Sequence, residues 1–189
     1  MATLVILSPM MVAIALLVRA TMGRPVVFRQ ARSGYRGVPF TMLKFRSMTE
    51  DRDARGDLLP EHQRLTRLGV FLRQTSIDEL PELLNVLLGQ MSVVGPRPLL
   101  VEYMDVYSEE QKRRHDVPPG ITGWSQINGR NTTDWEQRFV EDVWYVDNLS
   151  WWVDLRILAL TVGTVLTMRG VKPKGREMTS KFRGSKTDR

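Results

Sequence analysis

The chain opens on an uninterrupted apolar run. Residues 2 to 18, ATLVILSPMMVAIALLV, carry no charge. As a helix they would reach roughly 25 Å, short of a hydrocarbon core of about 30 Å. Ser8-Pro9 sits in the middle of the run. Proline removes a backbone donor and clashes with the preceding turn, so it bends a helix. The serine hydroxyl can satisfy a carbonyl that the bend frees. The pattern predicts a re-entrant membrane helix that enters and leaves one leaflet; a straight single span and a proline-kinked core helix are the other readings. A signal peptide is disfavoured, because no basic stretch precedes the run and no A-x-A site follows it. Arg19, Arg24, Arg29, Arg32 and Arg36 come directly after, which assigns the rest of the chain to the cytoplasmic side.

Beyond the run the apolar pattern shortens. VVFRQARSGYRGVPFTMLKFRSM, residues 26 to 48, predicts two short strands joined by a glycine-containing turn. TEDRDARGDLLPEH reads as a loop and residues 61 to 73 as a short basic helix. Leu80, Leu83, Leu84, Leu87 and Leu88 form the i, i+3, i+4, i+7, i+8 stripe of an amphipathic helix. VVGPRPLL is a rigid, proline-flanked turn. SEEQKRRHDV predicts a helix capped by Ser108. PPGITGWSQINGRN reads as loop and hairpin with an Asn-Gly turn, and DWEQRFVEDVWYVDN as a helix. SWWVDLRILALTVGTVLTM is apolar, but only about 12 uncharged residues follow Arg156, too few to span. With Trp151 and Trp152 at its start, it predicts a helix lying along the membrane surface or the core. The basic tail KPKGREMTSKFRGSKTDR is expected to be mobile at its end. The fold class expected is α+β, mostly helical with short β-hairpins, an N-terminal re-entrant membrane helix and interfacial amphipathic helices. Residues 1–20 form that membrane helix and 21–189 a cytoplasmic, membrane-associated domain.

Composition narrows the function. The 189 residues suit one domain, and a hydrophobic fraction of 42% excludes global disorder. There is no cysteine, and His62 and His115 stand far apart, so no disulfide framework and no zinc site is expected. The net charge of +6 suits a partner carrying phosphates: nucleotide, anionic lipid or nucleic acid. No zinc finger, aromatic RNA-binding motif or basic zipper is present, so nucleic acid is not expected as the partner.

The candidate chemistry lies in RQTSIDELPELLNVLLGQMS, residues 73 to 92. Ser76 with Glu79 has the spacing of a capping box. With Asp78 as N-cap, Pro81 falls at the third helical position, where its missing donor costs little. Both carboxylates would then sit at a helix N-terminus, whose dipole favours their ionised forms. Simple capping explains the pair; so does a carboxylate nucleophile beside a metal-binding or electrostatic partner. Arg73, Arg97, Arg130 and Lys44 with Arg46 could hold phosphate. Arg97, fixed between Pro96 and Pro98, is the least ordinary of them.

Taken in order, SP in the apolar helix, VVFRQARSGYRGVPFTMLKFRSM, RQTSIDELPELLNVLLGQMSVVGPRPLLVEY, PPGITGWSQINGRN and WYVDNLSWWVDLRIL carry a resemblance over nearly the whole chain. It resembles the bacterial sugar transferases that are monotopic phosphoglycosyl transferases, most closely the small PglC type. The resemblance implies transfer of a sugar-1-phosphate from a UDP-sugar to polyprenol phosphate, with release of UMP, at the cytoplasmic face of the bacterial inner membrane. It implies Asp78 as nucleophile, a covalent phosphosugar intermediate, and Mg²⁺ held by Asp78 and Glu79. Arg97 would bind phosphate, and Lys44, Arg73, Arg130 and Asp154 are further carry-overs to substrate binding. N-acetylated or diacetamido sugars are the donors this resemblance suggests. Inner-membrane lipid is an expected partner, and a homo-oligomer is left open. Family members carry a basic and aromatic stretch before the apolar helix, whereas this sequence starts inside that helix at Met1. A membrane adaptor that binds anionic lipid without turnover is the competing function. A glycosidase is disfavoured, because adjacent carboxylates in one turn do not face each other across a sugar.

Overall fold

The computed structural model describes residues 2–129, 134–166, 182 and 184. Most of the basic tail therefore lies outside the described residues. Helix α1, Ala2–Met22, is the apolar run, with Pro9 inside it. Its buried contacts come at Ile14 and Val18. Ile14 and Val18, the latter 0% exposed, pack against Phe45 and Leu72. Burying a valine or isoleucine side chain in this way is worth about 1.5–3 kcal/mol. Ile6, Met10, Val12, Leu16 and Leu17 remain exposed, so α1 is not a core helix. Among the described residues no helix is long and apolar enough to cross a membrane.

Strands β1, Val27–Ser33, and β2, Pro39–Phe45, pair antiparallel in the register Val27↔Phe45 to Ser33↔Pro39, as the alternation predicts. A single 3₁₀ turn, Tyr35–Gly37, joins them. The basic segment that follows divides into α2, Glu61–Arg64, and α3, Arg67–Gln74. Thr66 caps α3 by accepting from the Gly69 amide at 2.9 Å. Gly69 is required there by contact: a Cβ would lie 1.8 Å from the Ser47 carbonyl oxygen. The helix thus rests directly on the backbone that continues β2.

Helix α4, Glu82–Leu87, leads to β3, Ser92–Val94. Ser108 caps α5, Glu109–Lys112, with Gln111 completing a capping box. A 3₁₀ turn, Arg113–His115, precedes β4, Gly120–Thr122, which pairs parallel with β3. The segment expected to be loop and hairpin is instead this strand followed by helix α6, Trp124–Gly129. Gly123 follows β4 so closely beneath Gly95 that an added Cβ would meet the Gly95 carbonyl oxygen at 2.1 Å. That tertiary contact, not local turn propensity, decides the path. Helix α7, Trp135–Asp147, capped by Asp134, and helix α8, Trp151–Leu166, complete the described helices. Val94, Tyr145 and Ile157 form the core between β3, α7 and α8, and Tyr103, Tyr107, Phe139 and Phe182 form an aromatic core beside it.

Candidate active site

Asp78 and Glu79 lie in a 3₁₀ turn, Ile77–Glu79, wedged between α3 and α4. The sequence expectation of Asp78 as N-cap needs correction. Pro81 itself occupies the N-cap position of α4, so the carboxylates precede the helix by a turn. Nor does Ser76 form a capping box. It adopts a left-handed backbone, φ 56°, with no side-chain cap hydrogen bond, and reverses the chain direction after α3. Glu79 makes other bonds. Lys44, from β2, places its Nζ 2.6 Å from Glu79 Oε1, and Arg97 places Nη2 2.8 Å from the same oxygen. Lys44 Nζ also lies 3.1 Å from Oε1 of Glu82, which is 2% exposed.

The pattern of α4 is inverted relative to its leucine stripe. Glu82 and Asn85 face inward, while Leu84, Leu87 and Leu88 face outward. Asn85 donates to the Thr41 carbonyl at 2.8 Å and accepts from the Leu43 amide at 3.1 Å. It ties α4 to the β2 backbone on either side of Met42 and so fixes where Lys44 emerges. The buried polar face is held by β2, through Asn85 to its backbone and Glu82 to Lys44, and the leucines face away.

Electrostatics divide the two carboxylates. Burial raises the Asp78 carboxyl to about 6, and the Glu79 charge adds to the effect; Lys44, Arg73 and Arg97 oppose it. This reverses the expectation from a helix dipole, because burial is the dominant influence on the group. Glu79 is also penalised by burial, but Arg97 and Lys44 overcome it by charge and hydrogen bonding and hold it down to about 2. Glu82, desolvated and close to Glu79, is pushed up. Arg73 donates from Nε to Ser47 Oγ at 2.8 Å and sends its charge towards Asp78.

Among the described residues neither Asp78 oxygen nor Glu79 Oε2 has a hydrogen-bond partner. Asp78 is nevertheless only 8% exposed. The result is an unencumbered carboxylate beside one locked by two cations. The donor set also fits Mg²⁺, which favours one or two carboxylates together with substrate phosphate oxygens.

The chain matches the family described as bacterial sugar transferase over residues 1–168. It belongs to that family. A relative from Bacillus subtilis (strain 168), named an uncharacterized sugar transferase, EpsL, is 55% identical over 168 residues, covering 89% of this chain and 83% of its own. A Klebsiella pneumoniae protein named UDP-glucose:undecaprenyl-phosphate glucose-1-phosphate transferase is 46% identical over 169 residues, 84% of this chain. One of the same name from Escherichia coli (strain K12) is 45% identical over 174 residues, 86% of this chain. The present sugar transferase spans 36% and 38% of those two relatives' lengths.

Of the residues expected in the sugar transferase site, Lys44, Asp78, Glu79 and Arg97 converge, with Arg73 alongside. Arg130 lies outside the described residues. Asp154 accepts from the Tyr145 hydroxyl at 2.8 Å, at the junction of α7 and α8. Sequence reading missed Glu82 and Asn85, hidden in the leucine stripe, and the buried pair Arg114–Asp142. Arg114 donates from Nη2 to Asp142 Oδ2 at 2.7 Å and to the Arg97 carbonyl at 2.7 Å, so it holds the backbone of Arg97 from behind. Ser125 donates to Asp142 Oδ1 at 2.6 Å. A signal existed: Asp142 falls at i+3 from Phe139 on the buried face of α7, and a carboxylate on a buried face requires a partner.

Proposed function

We propose that this sugar transferase moves a sugar-1-phosphate from a UDP-sugar to polyprenol phosphate, with release of UMP, through a covalent phosphosugar on Asp78. The observation that carries the reading is the pairing of an uncommitted, buried Asp78 with a Glu79 fixed by Lys44 and Arg97. An Asp78 oxygen attacks the sugar-bearing phosphorus, and the bond to the oxygen bridging the two phosphates breaks. The electron pair leaves with UMP, so no proton is needed. The polyprenol phosphate then attacks the phosphosugar and regenerates the Asp78 carboxylate. Phosphoryl transfer depends mainly on positioning and charge neutralisation; Arg97 and Arg73 supply positive charge, and Lys44 keeps Glu79 in place. Asp78 and Glu79 would hold Mg²⁺, which when bound neutralises phosphate oxygens.

The same proposal includes the α+β fold class with a re-entrant α1, and a site at the cytoplasmic face of the bacterial inner membrane. What supports it is exposed apolar surface on α1, on the outer side of α4 and at Trp151 and Trp152 of α8, the kind of surface that marks a membrane or partner contact. The relatives' names make UDP-glucose the first donor to try, ahead of the N-acetylated sugars. The test is UMP release in lipid nanodiscs containing polyprenol phosphate and Mg²⁺, with a panel of UDP-sugars. Wild type is expected to turn over at least one donor and Asp78→Asn none. Lipid binding without UMP release from any donor would leave the adaptor function instead.

A further inference from the structure

Arg97 uses one edge of its guanidinium on Glu79. Its Nη1 and Nε have no partner among the described residues, and its side chain is 41% exposed. Two more arginines stand close to it. Arg32, on β1, reaches the same turn: its Nη1 donates to the Pro98 carbonyl at 3.4 Å, and Arg32 bridges Leu100 across the strand edge. Arg138 lies on α7 one turn before Asp142, the residue that holds Arg114 against the Arg97 carbonyl. Neither Arg32 nor Arg138 forms an ion pair among the described residues. Arg32 has only neutral acceptors, Gln30 and Pro98, and its buried Nε has none. Arg138 lies 5.2 Å over the Trp135 ring.

From this geometry we propose that Arg32, Arg97 and Arg138 form a second phosphate subsite, adjacent to the reacting one at Asp78. Like charges gathered around one open guanidinium edge make Arg32 and Arg138 costlier to keep charged until an anion arrives, although Glu79 holds the other edge of Arg97 and Glu141 and Asp142 lie near Arg138. Burial and then the Arg97 charge lower Arg32 to about 10, and burial and Arg97 also lower Arg138. Both stay charged near neutrality. The idea rests on the transfer reading for its substrate. There the phosphate beside the reacting one is either the nucleotide phosphate that leaves as UMP or the phosphate of the polyprenol acceptor. Guanidinium forks suit both, since they pair with phosphate oxygens two at a time.

The test is binding, which needs no turnover. The full chain in nanodiscs is titrated with UMP and, separately, with dodecyl phosphate, both with Mg²⁺ present. Wild type is compared with Arg32→Gln, Arg138→Gln and the exposed-loop control Arg55→Gln. Roughly tenfold weaker binding of one ligand is expected in both site variants, with a shallower salt dependence and no change in the control. Loss confined to UMP assigns the nucleotide phosphate; loss confined to dodecyl phosphate assigns the lipid. Arg32→Lys and Arg138→Lys guard against misfolding: they keep the charge and are expected to fall between wild type and the glutamine variants. Both ligands binding all variants within about twofold of wild type would overturn the subsite. Should wild type release UMP from no donor, the transfer reading falls while this titration still decides the subsite; turnover with unchanged binding in the variants removes the subsite alone.

Discussion

In the proposed transfer Asp78 has to be buried enough to exclude water and ionised enough to attack phosphorus. With its carboxyl raised to about 6, the rate of UMP release is expected to climb as pH rises through about 6 and then level, as a pH–rate profile of kcat/KM would record. Lys44→Met removes an opposing positive charge, so the rising limb should move to higher pH. It should also lower the plateau, because Glu79 loses one of its two anchors. Stability follows the opposite signs of the two groups. Asp78, raised in the fold, contributes stability that is complete below 3.8 and lost as pH rises through about 6. Glu79, depressed in the fold, contributes stability present above 4.5 and lost as pH falls towards about 2. The Asp-Glu pair itself was legible in the sequence. Its protonation was not, because the groups that set it come from β2 and the 96–98 turn, far off in the chain.

At the scale of elements, α4 shows why periodicity can identify a helix and still misassign its inner face. The leucine spacing predicts the helix correctly, but the buried positions are Glu82 and Asn85, the latter 1% exposed. The partners that make this possible are backbone groups of β2, some 42 to 44 residues away. Asn85→Ala leaves the Leu43 amide and the Thr41 carbonyl without that partner and is expected to cost roughly 2–4 kcal/mol by denaturant unfolding. Leu88→Gln, at a position 68% exposed, should change stability in detergent by no more than about 0.5 kcal/mol. Equal costs for the two would show that the leucine face is the inner one after all. The β1–β2 hairpin was readable because its signals are local. The β3–β4 pair was not, since it depends on the close passage of Gly123 under Gly95, which no short window of sequence contains.

For the molecule as a whole, one cluster joins the N-terminal helix to the Asp78-Glu79 turn. Ile14, Val18, Phe45 and Leu72 are its buried members, and Ile77 and Leu80, on either side of the Asp78-Glu79 turn, pack against them. Leu72→Ala is expected to cost about 2–5 kcal/mol and, since the turn rests on that site, to lower kcat in a nanodisc assay more than it raises the KM for donor. A loss of stability with unchanged kcat would show that the turn keeps its shape without the cluster. This dependence has a bearing on how a detergent-free enzyme could be engineered. Cutting the chain after Met22 would strip away Ile14 and Val18, two of the four buried members, and would remove the Met22 carbonyl to which Arg46 donates. The floor beneath Asp78 would go with the helix. Repainting α1 is the sounder route: polar side chains at Ile6, Val12, Leu16 and Leu17, which already face outward, would leave every contact with the Asp78-Glu79 turn in place.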